Sequence, residues 1–208
     1  MTRILTSLAA MLLCAAPALA QGDAAAGKAQ YATCVACHGD QAQGNQALNA
    51  PRLNHLEPVY VAAQLVKFRG GVRGGEGATA SSRSMAPMAA TLADDQAIAD
   101  VSAYIASLDS PTSEATVEGD AALGGDYYNQ FCGACHGAGA VGNTSLNSPL
   151  LVGTDDWYLE AQLLAFRSGE RGSHPEDTTG KQMRAMAMVL PNEQAVKDVV
   201  AYLRSLGE

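Results

Sequence analysis

Aromatic bulk is scarce in this 208-residue chain, with three phenylalanines and one tryptophan for its whole length. A core built from such a sequence either stays thin or is filled by something other than side chains. Long apolar runs are also lacking. Beyond the first twenty residues, no segment approaches the eighteen or so consecutive apolar residues that a membrane span needs. Basic residues are few, 13 Lys and Arg against 21 Asp and Glu, which argues against nucleic acid as a partner and for a self-repelling, soluble chain. Strand-like alternation is missing too, which leaves helices separated by loops and predicts an all-α fold.

The first twenty residues, MTRILTSLAAMLLCAAPALA, place Arg3 ahead of a short apolar run and end in Ala18-Leu19-Ala20. That is the pattern of a cleaved secretory signal, so the expected mature chain starts at Gln21 and the expected location is the periplasm. Cys14 falls in the discarded segment. Leu13 stands where a small residue normally precedes a lipidated cysteine, so anchoring through Cys14 is not expected, and association with a membrane surface stays open.

Four cysteines remain, all in two short stretches: TCVACHG at residues 33–39 and FCGACHG at residues 131–137. In an oxidising compartment four free thiols need an occupation. On one helical turn residues three apart share a side, so Cys34 and Cys37 can face one flat ligand while His38 aims an imidazole at its centre. Cys132, Cys135 and His136 repeat the arrangement. This is the geometry for thioether attachment of haem to two cysteines with histidine as the proximal iron ligand, and it predicts two covalently attached haem c groups. A zinc site would have to join cysteine pairs much farther apart than the usual roughly 15 to 20 residues between knuckles. A redox dithiol would leave the histidines, and the absence of a preceding strand, unexplained. Two haems would also supply the missing apolar bulk.

The motif belongs to a larger repeat. Cys34 and Cys132, Gln64 and Gln162, Met85 and Met183, and Tyr104 and Tyr202 all stand 98 positions apart. Running Gly27 to Leu108 against Gly125 to Leu206 without a gap gives roughly two identities in five, the mark of a duplicated unit. The expected organisation is a signal at 1–20, one domain at 21–108, a polar linker, DSPTSEATVEG, at 109–119, and a second domain at 120–208. In each unit Asp23 or Asp120 opens a first helix. Pro58 begins a middle helix carrying the shared face Tyr60, Gln64, Leu65 and Phe68. Asp94 or Asn192 caps a last helix burying Ile98, Val101 and Ile105 or Val196, Val199 and Leu203.

What occupies the sixth iron position separates carriers from catalysts. His55 aligns with Gly153 and His174 with Glu76, so neither histidine recurs, and both read as surface loop residues. Methionines do recur: Met85 with Met183 and Met88 with Met186, in segments that read as loops before the last helix, whereas Met188 has no counterpart. One methionine per domain is the expected ligand and the other packing, and the repeat leaves the choice open.

With CVACHG and CGACHG, Pro51/Leu53 and Pro149/Leu151, QLVKFRGGVRG and QLLAFRSGERG, and SMAPMAATL and QMRAMAMVL, the chain resembles the cytochrome c4 family of di-haem electron carriers. The resemblance covers essentially the whole mature chain. It implies two tandem cytochrome c domains related by an approximate two-fold axis. It favours Met85 and Met183, each seven residues before the leucine ahead of the last helix, as iron ligands. It also implies that the Pro51 and Pro149 carbonyls accept a hydrogen bond from His38 and His136. The implied function is single-electron transfer from a quinol-oxidising cytochrome bc complex to a haem-copper terminal oxidase, without catalysis by the chain itself. Two other readings stand beside it: the haem subunit of a dehydrogenase complex oxidising sulfide or thiosulfate, and a di-haem peroxidase. Arg69 and Arg167 recur at the end of the middle helix, either to meet haem propionates across the domain interface or to favour the helix C-terminus. Residues 111–208 carry 13 acidic and 6 basic residues, against 8 and 6 in 21–110, so a partner with a basic face would be steered to the second half unless that acidity serves solvation alone.

Overall fold

The computed structural model describes residues 22–207, so the expected signal segment and Cys14 lie outside the described residues. Helices dominate, and the described residues contain no strands, only isolated bridges between Asn45 and Ala50 and between Asn143 and Ser148. In the first half these helices are α1 (Ala24–Tyr31), α2 (Val35–His38), α3 (Pro58–Arg69), α4 (Ala80–Ala89) and α5 (Asp95–Ala106). The second half repeats them as α6 (Ala121–Tyr127), α7 (Gly133–His136), α8 (Asp156–Ser168), α9 (Thr178–Ala187) and α10 (Glu193–Ser205).

The caps follow the sequence. Asp23 accepts from the Ala25 and Ala26 amides, Asp120 from Ala122 and Leu123, Asp94 from Ala97 and Asn192 from Ala195. Each satisfies amides that the first helical turn leaves open. Pro58 occupies the first turn of α3, where its missing N–H costs nothing. One apolar cluster per half closes on Tyr31, Leu65, Phe68, Ile98, Val101 and Ile105, or on Tyr128, Leu163, Phe166, Val196, Val199 and Leu203. Each fully buried aliphatic side chain contributes about 1.5–3 kcal/mol.

The first and last helices of each half cross at a glycine. A Cβ on Gly27 would sit 2.0 Å from the Asp100 carbonyl oxygen, and one on Gly124 would sit 1.9 Å from that of Asp198. These two glycines are therefore structural equivalents, as are the core tyrosines Tyr31 and Tyr128, and both pairs stand 97 apart rather than 98. The gapless repeat is thus corrected. The second half carries one extra residue before Cys132, absorbed by a single π-turn, Tyr128–Cys132. Pairing Gly27 with Gly125 hid the slip because two glycines are adjacent there.

A second correction concerns the methionine segments, which are helices rather than loops. Thr79 caps α4 by accepting from the Ser82 amide, Asp177 caps α9 by accepting from Gly180, and α4 tolerates Pro87 only within three residues of its end.

The halves meet in a polar interface with two-fold character. Arg73 donates to Gln64 in its own half (2.8 Å) and to Tyr158 and Gln162 across it (both 3.0 Å). Arg171 donates to Gln162 in its own half (2.7 Å) and to Tyr60 and Gln64 across it (both 3.2 Å). Reciprocal contacts of this kind define an isologous interface. Around this centre the halves are also joined by Lys67, which pairs with the buried Asp177 at 2.7 Å, and by the Arg52 amide, which donates to Asp155. His55, expected on a surface loop, instead shares a 2.8 Å hydrogen bond with Thr154 of the other half, and its second ring nitrogen is buried without a partner. Burial first, and the neighbouring Arg52 cation second, push its pKa down to about 3.

Residues 108–120 form no regular element, as a linker should. They are nonetheless strapped down: Ser113 donates to Asp155, and Thr116 and Val117 donate backbone amides to Asp156. Burial opposes ionisation of Asp156, but its hydrogen bonds from Thr116, Val117 and Trp157 outweigh that and hold its carboxyl below the ordinary carboxylate range.

Two outcomes follow from this packing. Gly124→Ala drives a Cβ into a backbone carbonyl and is expected to cost about 2–3 kcal/mol, read as a drop of several degrees in the thermal midpoint of the loaded protein. The depressed Asp156 contributes stability that is complete above its unfolded pKa of about 4 and is lost as pH falls through its lower folded value. Asp156→Asn should therefore weaken the protein at pH 7 while flattening the acid limb of its stability curve below about pH 4, measured by denaturant unfolding across pH.

Candidate haem sites

Each CxxCH segment is one helical turn. The His38 amide donates to the Cys34 carbonyl at 2.9 Å, and the turn ends at Gly39, whose φ of 79° lies in the left-handed region that glycine adopts without strain. Gly137, also at φ 79°, ends the second turn. The turn sends His38 inward, 7% exposed, while Cys34 is half-buried and Cys37 exposed; His136, Cys132 and Cys135 match them. No disulfide joins any two of these four cysteines. Burial pushes the Cys34 thiol up, and it pushes Cys132 up to about 11, with Cys135 adding to the rise.

The imidazoles are fixed from behind. His38 Nδ1 lies 2.8 Å from the Pro51 carbonyl oxygen and His136 Nδ1 lies 2.9 Å from that of Pro149. A carbonyl only accepts, so Nδ1 carries the proton and Nε2 keeps its lone pair for a metal. Burial lowers both imidazole pKa values, with the proline carbonyl opposing. The cationic form is disfavoured, which suits a ligand.

Two tyrosines that the sequence reading passed over hold the turns in place. Tyr31 donates to the Gly39 carbonyl at 2.8 Å and Tyr128 to that of Gly137 at 2.6 Å. Each also packs on the last helix, with ring centroids 5.4 Å from Tyr104 or Tyr202. Their recurrence was the available signal, and the one-residue slip concealed it by setting Tyr31 against Asn129.

In the first half Cys34, Cys37, His38, Pro51, Met85 and Met88 line a single cavity whose remaining wall is largely apolar, with Leu65, Phe68 and Leu92. The methionines separate by burial. Met85 and Met183 pack against the cores, whereas Met88, Met186 and Met188 are 38%, 37% and 59% exposed. Two thiols, an imidazole with a free lone pair, a half-buried thioether and an apolar wall form a donor set that fits haem. Among the described residues, no three His, Cys, Asp or Glu side chains gather to hold a metal ion, so the four cysteines do not assemble a zinc centre.

Arg69 and Arg167 do not reach the interface. Arg69 contacts Asp95 and Arg167 donates to the Ala187 and Leu190 carbonyls, each within its own half. The arginines four residues later, Arg73 and Arg171, cross it instead, and Arg73, Tyr158 and Gln162 line the first cavity. Sequence periodicity could not tell these from solvated cations.

Known proteins carry the same features. The cytochrome c family profile matches twice, at residues 24–109 and 121–207. A cytochrome c4 of Pseudomonas aeruginosa is 32% identical over 99% of this chain and all of its own length. A thiosulfate dehydrogenase electron acceptor of Stutzerimonas stutzeri is 33% identical over 84% of this chain and 79% of its own. Among solved structures, the cytochrome c4 of Acidithiobacillus ferrooxidans superposes with a TM-score of 0.68 at 26% identity, covering 84% of this chain and 99% of its own. The thiosulfate dehydrogenase TsdBA of Marichromatium purpuratum superposes with a TM-score of 0.67 at 30% identity over 86% of this chain, which spans only 39% of that protein. With haem c attached through Cys34 and Cys37 and through Cys132 and Cys135, the chain is a di-haem member of the cytochrome c family, of the cytochrome c4 group.

Proposed function

We propose that the protein carries single electrons in the periplasm, each haem iron being held by a histidine and a methionine: His38 with Met85, and His136 with Met183. The observation that carries this reading is the pair of buried imidazoles locked by proline carbonyls, with a half-buried thioether in each core. When bound, each haem supplies a one-electron ferric/ferrous couple. The chain's own groups decide how that couple behaves. Pro51 and Pro149 hold the imidazole planes, the thioethers favour the ferrous form, and Leu65, Phe68, Leu163 and Phe166 keep water away. Tyr31 and Tyr128 keep each attachment turn against its core.

With Met85 and Met183 holding the irons, neither half would leave a position open to peroxide, which supports a carrier over a peroxidase. No helix among the described residues is long and apolar enough to cross a membrane. The donor in the main reading is a quinol-oxidising bc complex and the acceptor a terminal oxidase. A second reading, acceptance of electrons from a thiosulfate-oxidising dehydrogenase, is favoured by the relatives named for that role. The two are separated by which purified donor, a bc complex with quinol or a thiosulfate dehydrogenase with thiosulfate, reduces the ferric protein within its own turnover time.

Met85→Ala and Met183→Ala should each remove half of the near-infrared absorption that reports sulfur on ferric iron, and each should create one carbon monoxide-binding haem in the reduced protein. Wild-type protein should bind little carbon monoxide. If both variants kept the full band, the ligand assignment would be wrong.

A further inference from the structure

Each proline carbonyl that holds a histidine belongs to a peptide group whose N–H faces the other half. The Arg52 N–H, in the same peptide plane as the Pro51 carbonyl, donates to Asp155 Oδ2 at 2.9 Å. The Leu150 N–H, in the plane of the Pro149 carbonyl, donates to Glu57 Oε2 at a longer 3.5 Å. Asp155 and Glu57 are counterparts, 98 positions apart, and each stands at the N-cap of a middle helix, α8 or α3. An acid at an N-cap ordinarily accepts from its own first turn, yet neither of these side chains caps its helix. Both reach across the interface instead. The Arg52 guanidinium hydrogen-bonds elsewhere, to Asn54, Ser110, Thr112 and the Gly153 carbonyl, so the Asp155 carboxylate meets this segment through the backbone. Asp155 is 2% exposed, its other oxygen accepting from Ser113 of the linker, whereas Glu57 is half-buried.

Resting on the reading above that His38 and His136 hold iron, we infer that Asp155 and Glu57 are positioning residues that lower the reduction potential of the opposite half's haem, acting through the peptide group between carboxylate and imidazole. In the first half the chain of contacts runs from the Asp155 carboxylate to the Arg52 N–H, the Pro51 carbonyl and His38 Nδ1–H. Hydrogen bonds linked in this way polarise one another. An anion on the N–H side pushes electron density onto the carbonyl oxygen, which then accepts more strongly from Nδ1–H and leaves Nε2 the better donor. A stronger nitrogen donor favours the ferric state, so removing the carboxylate charge moves the couple towards ferrous. The effect is larger in the first half, where the carboxylate is buried and its contact short. A lone domain has no such carboxylate behind its histidine, so the control exists only in the tandem chain.

The test uses the haem-loaded full chain. Asp155→Asn keeps an oxygen that can accept from the Arg52 amide and removes only the charge. Haem is counted by alkaline pyridine absorbance, each couple is followed through its own haem-methyl proton NMR signals during a redox titration, and the histidine Nδ1–H proton shifts of the ferrous protein report hydrogen-bond strength. Asp155→Asn should keep two haems while shifting the reduction equilibrium of the first roughly tenfold towards ferrous, about 59 mV for a one-electron couple. The His38 Nδ1–H signal should move to lower chemical shift, with the second haem and His136 close to wild type. Glu57→Gln should act on the second haem and His136 in the same sense, by about threefold. An unchanged first potential, an equal shift of both haems, or a shifted potential with an unmoved His38 Nδ1–H signal would each overturn the inference while leaving the carrier reading intact. Fewer than two haems in wild-type protein would instead overturn the carrier reading itself. Should Asp155→Asn not fold, the half-buried Glu57 decides, and an unchanged second potential in Glu57→Gln overturns the inference.

Discussion

A proline carbonyl holds an imidazole by one hydrogen bond in each half of the molecule, His38 to Pro51 and His136 to Pro149. That bond fixes which nitrogen carries the proton, which way the ring faces, and where the free lone pair points. Much of the surrounding structure serves to keep the two partners in register. The attachment turn is tied to the first helix through Tyr31 or Tyr128, and the first helix is seated on the last through Gly27 or Gly124. A side chain at either glycine would lift one helix from the other, moving the tyrosine and with it the turn that carries the histidine. The chain of dependence runs from a missing Cβ to the orientation of the imidazole proposed to hold iron.

Duplication gives the protein more than two copies of one site. The middle helix of each half turns part of its face outward, and the two faces complete one another through Arg73, Arg171 and the glutamines between them. A single such domain would leave Tyr60, Gln64 and Arg73 on an open rim, whereas the tandem arrangement buries Arg73 and half-buries Tyr60 and Gln64. The linker reinforces this, because it is held along its length by Asp155 and Asp156 rather than left as a tether. The halves are therefore joined both across the interface and along the linker. Their differences remain local: an added residue before Cys132, and a more acidic second half.

Much of this was legible in the sequence, for identifiable reasons. Cap residues such as Asp23, Asp94 and Asn192 act on amides two or three positions away, so local chemistry is enough to read them. The CxxCH turn is legible because its ligand is flat and its geometry helical. The single-residue slip was not, since neighbouring Gly124 and Gly125 offer a match at either register. The methionine helices were hidden by Ser, Thr, Gly and Arg in a weakly patterned stretch, although Thr79 and Asp177 stood at their starts. The interface was hidden because a recurring polar face, Tyr60 and Gln64, reads as solvated until a second domain lies on it. His55 was misread for the same cause, since only the opposite half supplies Thr154.

The scarcity of aromatic side chains is consistent with the same account, because two porphyrins would complete cores that Tyr31, Phe68, Tyr128 and Phe166 only begin to fill. Intact-mass spectrometry of the denatured, purified mature chain tests this most directly. Two haem masses retained per polypeptide through acid denaturation is the predicted result. One haem mass, or none, would contradict it.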